Sequence, residues 1–318
     1  MVKLIDIAKA AGVSKAAVSY AFSPNPEKRE KLSEETREKI LKTAGEFHYR
    51  PNIFGRGLSL RKSFAVALLL PQHCTRNISK HNLGMFHGVS SLLSAGVYNL
   101  LIYFGCHSRF LDDLEQRRVD GVAMISKLAD PPVIGEIAGH GIPLVLLGRT
   151  YDDPANEIGS VGSDLDGFVR KTLGRFRREK VRRIRLYCRS GQSLAVDREL
   201  IRSLENRLPE LGMSFDLGDL DDFQAPGSEV DAVICRSLST PAEKFLRSDA
   251  RPRAVWSGAP LHLPGVFQQY HDSFQIGMKG AELLLDMIEG RSPGKTITIR
   301  GCEPGHGKKQ EKILQPDF

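Results

Sequence analysis

Two hydrophobic periodicities divide the chain near residue 62. Before that point apolar residues recur at helical spacing, with Leu4, Ile7, Ala8 and Ala11 on one face of residues 4–11. Gly12 can take the positive φ that ends a helix, and Ser14 can cap the next by accepting a backbone N–H. The spacing predicts a second short helix over residues 14–22, with Val18 and Ala21 facing inward. A third is predicted from Ser33, where Glu34 and Glu35 suit the positive N-terminal end. Two short helices across a glycine turn follow the helix-turn-helix plan, whose second helix enters the major groove of DNA.

After Phe64 short apolar runs alternate with amphipathic stretches. Strands are predicted at 65–70, 99–104, 121–125, 144–147, 183–187, 232–235, 254–256 and 266–269, with helices at 83–95, 168–178, 194–211 and 274–289. Such β-α alternation implies parallel sheets covered by helices on both faces. A length of 318 residues exceeds one ordinary core, so two or three folding units are expected.

Charge sharpens the division. Residues 1–62 carry thirteen Lys/Arg and seven Asp/Glu, which accounts for six of the net charge of +7. A basic head on a near-neutral body points to a polyanionic partner. The longest apolar run, residues 64–71, is strand-sized, and Asp6 with Lys9 interrupts any signal-peptide core. A cytoplasmic protein with no membrane partner is therefore expected. Cys74, Cys106, Cys188, Cys235 and Cys302 form no CxxC pair, and His81, His87 and His107 lack paired ligand spacing. No metal or other cofactor is expected.

The string from Asp6 to Ser19, Asp-Ile-Ala-Lys-Ala-Ala-Gly-Val-Ser-Lys-Ala-Ala-Val-Ser, resembles the DNA-binding head of the lac repressor family. The likeness continues through Leu32-Ser33-Glu34-Glu35-Thr36-Arg37 and closes on Tyr49-Arg50-Pro51-Asn52. It implies a helix-turn-helix domain at 1–50, a hinge helix or linker at 51–62 and a two-lobed effector-binding and dimerisation domain at 63–318. By position, the implied DNA-binding residues are Ser14, Lys15, Ala16, Ser19, Tyr20, Asn52, Arg56 and Leu58. Many family members carry arginine where Tyr20 stands, so the operator should differ there. Leu58 matches the hinge leucine that wedges into the minor groove, an exchange of stacking energy for bent DNA. Gly55 and Gly57 depart from the helix-favouring residues usual in this hinge, and each costs a helix roughly 0.8–1 kcal/mol. The basic loop around Lys28, Arg29 and Lys31 is longer than usual and is a candidate for phosphate contact.

The body resembles the periplasmic-binding-protein-like core of the same family at Arg117-Arg118-Val119-Asp120-Gly121-Val122, Gly141-Ile142-Pro143-Leu144-Val145 and residues 277–285. The fold implied is α/β: an all-α helix-turn-helix head joined to two lobes of parallel sheet with a ligand cleft between them. Lobe one is expected at about 63–161 plus 272–290, and lobe two at about 162–265 plus the C-terminal strands. Arg149, Arg198, Arg236 and Trp256 are the candidate effector-binding residues. Gly258 stands where sugar-binding members keep an Asp, so an acidic or phosphorylated sugar is preferred to an ordinary monosaccharide. A drifted pocket with no ligand would look the same.

The function implied is a homodimeric transcriptional regulator, acting as a repressor on a pseudo-palindromic double-stranded operator and modulated by a small molecule in the cleft. A cytoplasmic solute-binding protein is one rival, opposed by the basic head. An α/β enzyme is another, but no catalytic constellation is visible: there is no G-x-G-x-x-G after a strand and no H-E-x-x-H.

Overall fold

The computed structural model describes residues 2–23, 26–49, 57–58, 60–76, 78–125, 131–151, 153–188, 195–257, 261 and 263–303. Internal contacts group the chain into two units, Met1–Ser63 and Phe64–Phe318.

In the first unit α1 (Leu4–Ala11) ends at Gly12, whose φ of 67° costs glycine nothing. The Gly12 and Val13 N–H groups then donate to the Lys9 and Ala8 carbonyls and close the turn. α2 (Lys15–Ala21) starts at Ser14, whose hydroxyl accepts the Ala17 N–H at 3.1 Å. α3 (Pro26–Arg29) is a single turn within the segment expected to be loop. α4 (Glu34–Glu46) is capped by Ser33, which accepts the Thr36 N–H at 3.2 Å. Ile7, Ala8, Ala11, Val18, Ala21, Ile40 and Ala44 form the core. Most are small, and this lets short helices approach closely enough to bury it.

The second unit holds two parallel sheets. The six-stranded sheet runs β11 (Thr296–Ile299), β5 (Ile158–Ser163), β4 (Leu144–Leu147), β3 (Gly121–Ile125), β1 (Ala65–Leu70), β2 (Asn99–Phe104). One face packs on α5 (Lys80–Ser94) and α11 (Ser273–Ile288) and the other on α6 (Ser108–Glu115) and α7 (Pro131–Gly139), so β1, β3 and β4 are buried throughout. α5 and α11 meet along glycines: a Cβ on Gly88 would collide with the Phe274 carbonyl, and one on Gly277 with the Met85 carbonyl.

The five-stranded sheet runs β10 (Phe267–Tyr270), β9 (Arg253–Ser257), β8 (Ala232–Cys235), β6 (Arg183–Cys188), β7 (Ser214–Asp219). α8 (Leu165–Arg178) and α9 (Ala195–Arg207) cover one face and α10 (Thr240–Ser248) the other. The chain passes from the first sheet to the second after β5, returns between β10 and α11, and crosses again after β11. Tyr270 and Cys302 pair across the last two crossings.

One boundary is corrected. The C-terminal strands were expected in lobe two, but β11 pairs in parallel with β5 in the six-stranded sheet of lobe one. Ile297 and Ile299 pack on that lobe's core, and this burial fixes the choice of sheet. The five cysteines are all free thiols.

Candidate functional site

The second helix of the head presents a compact polar face. Ser14, Lys15, Ala16 and Ser19 are exposed and Tyr20 is half-buried, while Val18 and Ala21 on the opposite side are buried. Residues 15 and 19, 16 and 19, and 16 and 20 lie three or four apart, so helical geometry puts them on one surface. The Lys31 ammonium sits 5.8 Å from the centre of the Tyr20 ring, within cation–π range. Lys31 is exposed, and Lys28 and Arg29 on α3 are half-exposed, so the extended loop brings cations to the edge of the α2 face. Tyr49 packs against Phe22 with the rings tilted, 5.6 Å between centres, and anchors the end of the head.

Of the expected hinge residues, Asn52, Arg56 and Gly55 lie outside the described residues. Gly57 and Leu58 are helical, and the Lys62 N–H donates to the Gly57 carbonyl at 3.0 Å. Leu58 is 86% exposed, the most exposed of the large apolar side chains described.

In the body the carboxyl ends of both sheets turn toward the crossings, the place where open α/β sheets bind ligands. From lobe one, Arg149, Thr150 and Tyr151 follow β4, and the Arg149 guanidinium lies 5.4 Å from the Tyr151 ring centre. Lobe two contributes Asp197, Arg198 and Glu199 from the first turns of α9, and Arg236 just after β8. Thr150 donates to Glu199 across the lobes at 3.4 Å. Arg236 pairs with Asp197 at 3.2 Å, with only 16% and 6% of their side chains exposed. Burial pushes the Glu199 carboxyl up, against the pull of its Thr150 bond and of Arg149. Burial lowers the Arg149 guanidinium, opposed by Tyr151 and Glu199 and reinforced by Arg198. The Cys188 thiol is pushed up to about 12, first by burial and then by Asp197, so it is no nucleophile there.

Three of the four expected effector residues therefore gather here: Arg149 and Arg236 half-buried, and Arg198 exposed. Trp256 is corrected. It is wholly buried, packs on Phe168 at 5.0 Å between ring centres, and spends its indole N–H on His271 at 2.7 Å. A ring this enclosed has no face left for a ligand. Gly258 lies outside the described residues. Asp197 and Glu199 flank Arg198 in sequence and were missed, although their position at the start of a predicted helix after a strand was the available signal. A surface cavity of about 600 Å³ lies at the opposite, amino end of the lobe-two strands, beside Lys180, Asp231 and Arg251. Arg251 there is already held by Asp249 and by the Pro226, Gly227 and Val230 carbonyls, which makes it a structural clamp.

No helix among the described residues is long and apolar enough to cross a membrane, and no group of three or more His, Cys, Asp or Glu among them could hold a metal.

Residues 3–52 match the family model described as bacterial regulatory proteins, lacI family. The chain is 31% identical over 154 residues to the probable HTH-type transcriptional repressor ExuR of Bacillus subtilis (strain 168), covering 48% of this chain and 45% of that protein. The matched region spans about half the length of the first such curated relatives. Among solved structures, the lac repressor dimer bound to operator and the anti-inducer ONPF superposes with a TM-score of 0.67 at 16% identity, covering 94% of this chain and 96% of that one. The complex of the transcriptional regulator CelR with cellobiose gives 0.60 at 23% identity, covering 95% and 98%. At these identities the likeness is one of fold.

Proposed function

We propose that this chain is a sequence-specific DNA-binding transcriptional regulator of the lacI family, acting as a homodimer on a pseudo-palindromic operator, a reading supported by the match of residues 3–52 to that family's model. The observation that carries this reading is the α2 face: Lys15, Ala16 and Ser19 exposed beside Tyr20, on a helix capped by Ser14 within a head that holds six of the seven excess positive charges. Base edges are read by such a face, while Lys28, Arg29 and Lys31 supply phosphate contacts that position it. Leu58 is the apolar wedge, and Asn52 and Arg56 complete the hinge contacts. The second copy covers the edge strands β2 and β7, whose Ile102 and Leu217 are 43% and 57% exposed.

The body senses a small molecule between its lobes. Its polar groups come as facing pairs, Arg236 with Asp197 and Arg149 near Glu199, so donors and acceptors alternate along the cleft. A hydroxyl-rich ligand, which both donates and accepts, suits that alternation. The acidic ligand expected from Arg198 and Arg236 would have to displace Asp197 from Arg236, so a neutral sugar is favoured over a uronate or sugar phosphate.

Selection from random duplex DNA with the full chain, followed by genomic footprinting, tests the reading. It predicts an inverted repeat with half-sites about one helical turn apart, or a multiple of that. Recovery of no common sequence would refute it. A thermal-shift panel of neutral and acidic sugars tests the cleft, since a ligand at 100 times its dissociation constant stabilises by about 2.7 kcal/mol.

A further inference from the structure

The crossing between the lobes contains a buried polar chain that the regulator reading does not use. His271 follows β10 at the second crossing and is 5% exposed. The Trp256 indole N–H, which can only donate, reaches its Nε2 at 2.7 Å. Nε2 must therefore offer its lone pair, and the ring proton lies on Nδ1, 2.5 Å from the Ser163 hydroxyl at the end of β5. The His271 backbone N–H donates to the Ser257 carbonyl at 3.1 Å. One side chain thus ties the first crossing to the core of lobe two.

On its other side the His271 ring lies 4.7 Å from that of His81. His81 belongs to the first turn of α5 in lobe one, and its Nδ1 is 2.6 Å from the Ser273 hydroxyl at the start of α11. It is half-buried, with Nε2 beside Gly148, the residue that joins β4 to Arg149. His81 therefore borders the cleft on one side and the crossing on the other.

We infer that His81 and His271 form a relay from cleft to crossing: His81 meets what fills the cleft, and His271 passes its displacement to Ser163 and Trp256, which fix the angle between the lobes. The inference rests on the regulator reading and assigns the regulation of that same cleft. His271 is a positioning residue, since it acts through its partners and not on a ligand.

The bonds also dictate how acid acts. A proton on Nε2 would set one N–H against another, that of Trp256. The charged and titratable groups facing His271 are His81 from α5 and Arg236 from the end of β8, with Asp272 next in the chain and Cys302 Sγ 4.0 Å from Asp272. Burial first, then the charges of His81 and Arg236, hold His271 well below the usual histidine range. His271 is therefore neutral where an ordinary histidine titrates, near pH 6.5.

Trp256 is the chain's single tryptophan, so its emission reports directly on the relay. The test follows that emission in the full chain as pH falls from about 8, and measures affinity for the duplex selected by the wild type at about pH 8 and pH 5, the span over which histidines titrate. His81→Gln keeps a polar partner for Ser273 but removes a ring and a charge, and is expected to move the acid quenching of Trp256 to higher pH. Trp256→Phe keeps a ring in the core but frees Nε2. Its dissociation constant relative to wild type is expected to differ between the two pH values, because the freed Nε2 can accept the proton that the Trp256 N–H excludes. If Trp256→Phe fails to fold, the emission of His81→Gln decides alone. Identical quenching midpoints in wild type and His81→Gln would overturn the relay, as would a ratio for folded Trp256→Phe that does not vary with pH. Failure of the wild type to select any duplex would instead overturn the regulator reading and leave the emission result to judge the relay.

Discussion

Tyr20 sets a ring and a hydroxyl beside Lys15, Ala16 and Ser19 on α2, with the Lys31 ammonium 5.8 Å from the ring centre. Its place on the face of α2 that carries Lys15, Ala16 and Ser19 could be read from sequence because the helix is short, capped at Ser14 and periodic, so local rules suffice. The Lys31 ammonium over its ring was not legible, since the loop between them sets that contact. Tyr20→Arg is expected to change base preference at one operator position per half-site, by about 1–3 kcal/mol, because a guanidinium reads guanine bidentately where a hydroxyl cannot. Repeating the selection with this variant checks it, and an unchanged consensus removes Tyr20 from the readers. Glu199 became visible only when the fold brought Thr150 to it. Its carboxyl is raised in the folded state, so the folded chain holds the proton more tightly than the unfolded one. Stability from this group is present at low pH and is lost as pH rises through the folded value. Glu199→Gln is therefore expected to have the higher melting temperature at neutral pH, with the gap closing below about pH 4, the range of an ordinary carboxylate. A gap that does not vary with pH would deny the shift.

At the level of elements, the buried strands β1, β3 and β4 were predicted at their observed limits because parallel strands covered on both faces read as apolar runs. β5, β7 and β11 were missed for the converse reason. β5 is Ile-Gly-Ser-Val-Gly-Ser, which lacks side chains to announce a strand, and β7 and β11 are edge strands that are largely exposed. The missed β11 is also what misplaced the C-terminal strands. The α5–α11 seam depends on absent side chains. Gly277→Ala is expected to cost about 1–3 kcal/mol or more, as overpacking does, because the atom it meets is backbone and cannot turn aside. Denaturant unfolding reads this directly. In the hinge, Leu58→Ala should weaken operator binding and reduce the DNA bend together, since an unstacked base step loses its filler. Equal bending by wild type and variant in a permuted-site gel would count against the wedge.

Across the whole molecule, charge and pattern separate in the same place: the basic excess ends near residue 62, and the contacts divide between Ser63 and Phe64. Such a division was legible because a basic head and a near-neutral α/β body have different compositions. The interior of the cleft was not, because Asp197 meets Arg236, and Glu199 meets Thr150, only through the tertiary fold. Composition could supply the arginines but not the carboxylates that face them. The most direct measurement is the affinity of the full chain and of residues 64–318 for the selected duplex, by fluorescence anisotropy over a range of salt. The account predicts that the full chain binds with a logarithmic salt slope of about −0.9 for each phosphate neutralised, and that residues 64–318, folded by circular dichroism, have no operator affinity at any salt. Retention of operator affinity by residues 64–318, or binding by the full chain that ignores salt, would contradict it.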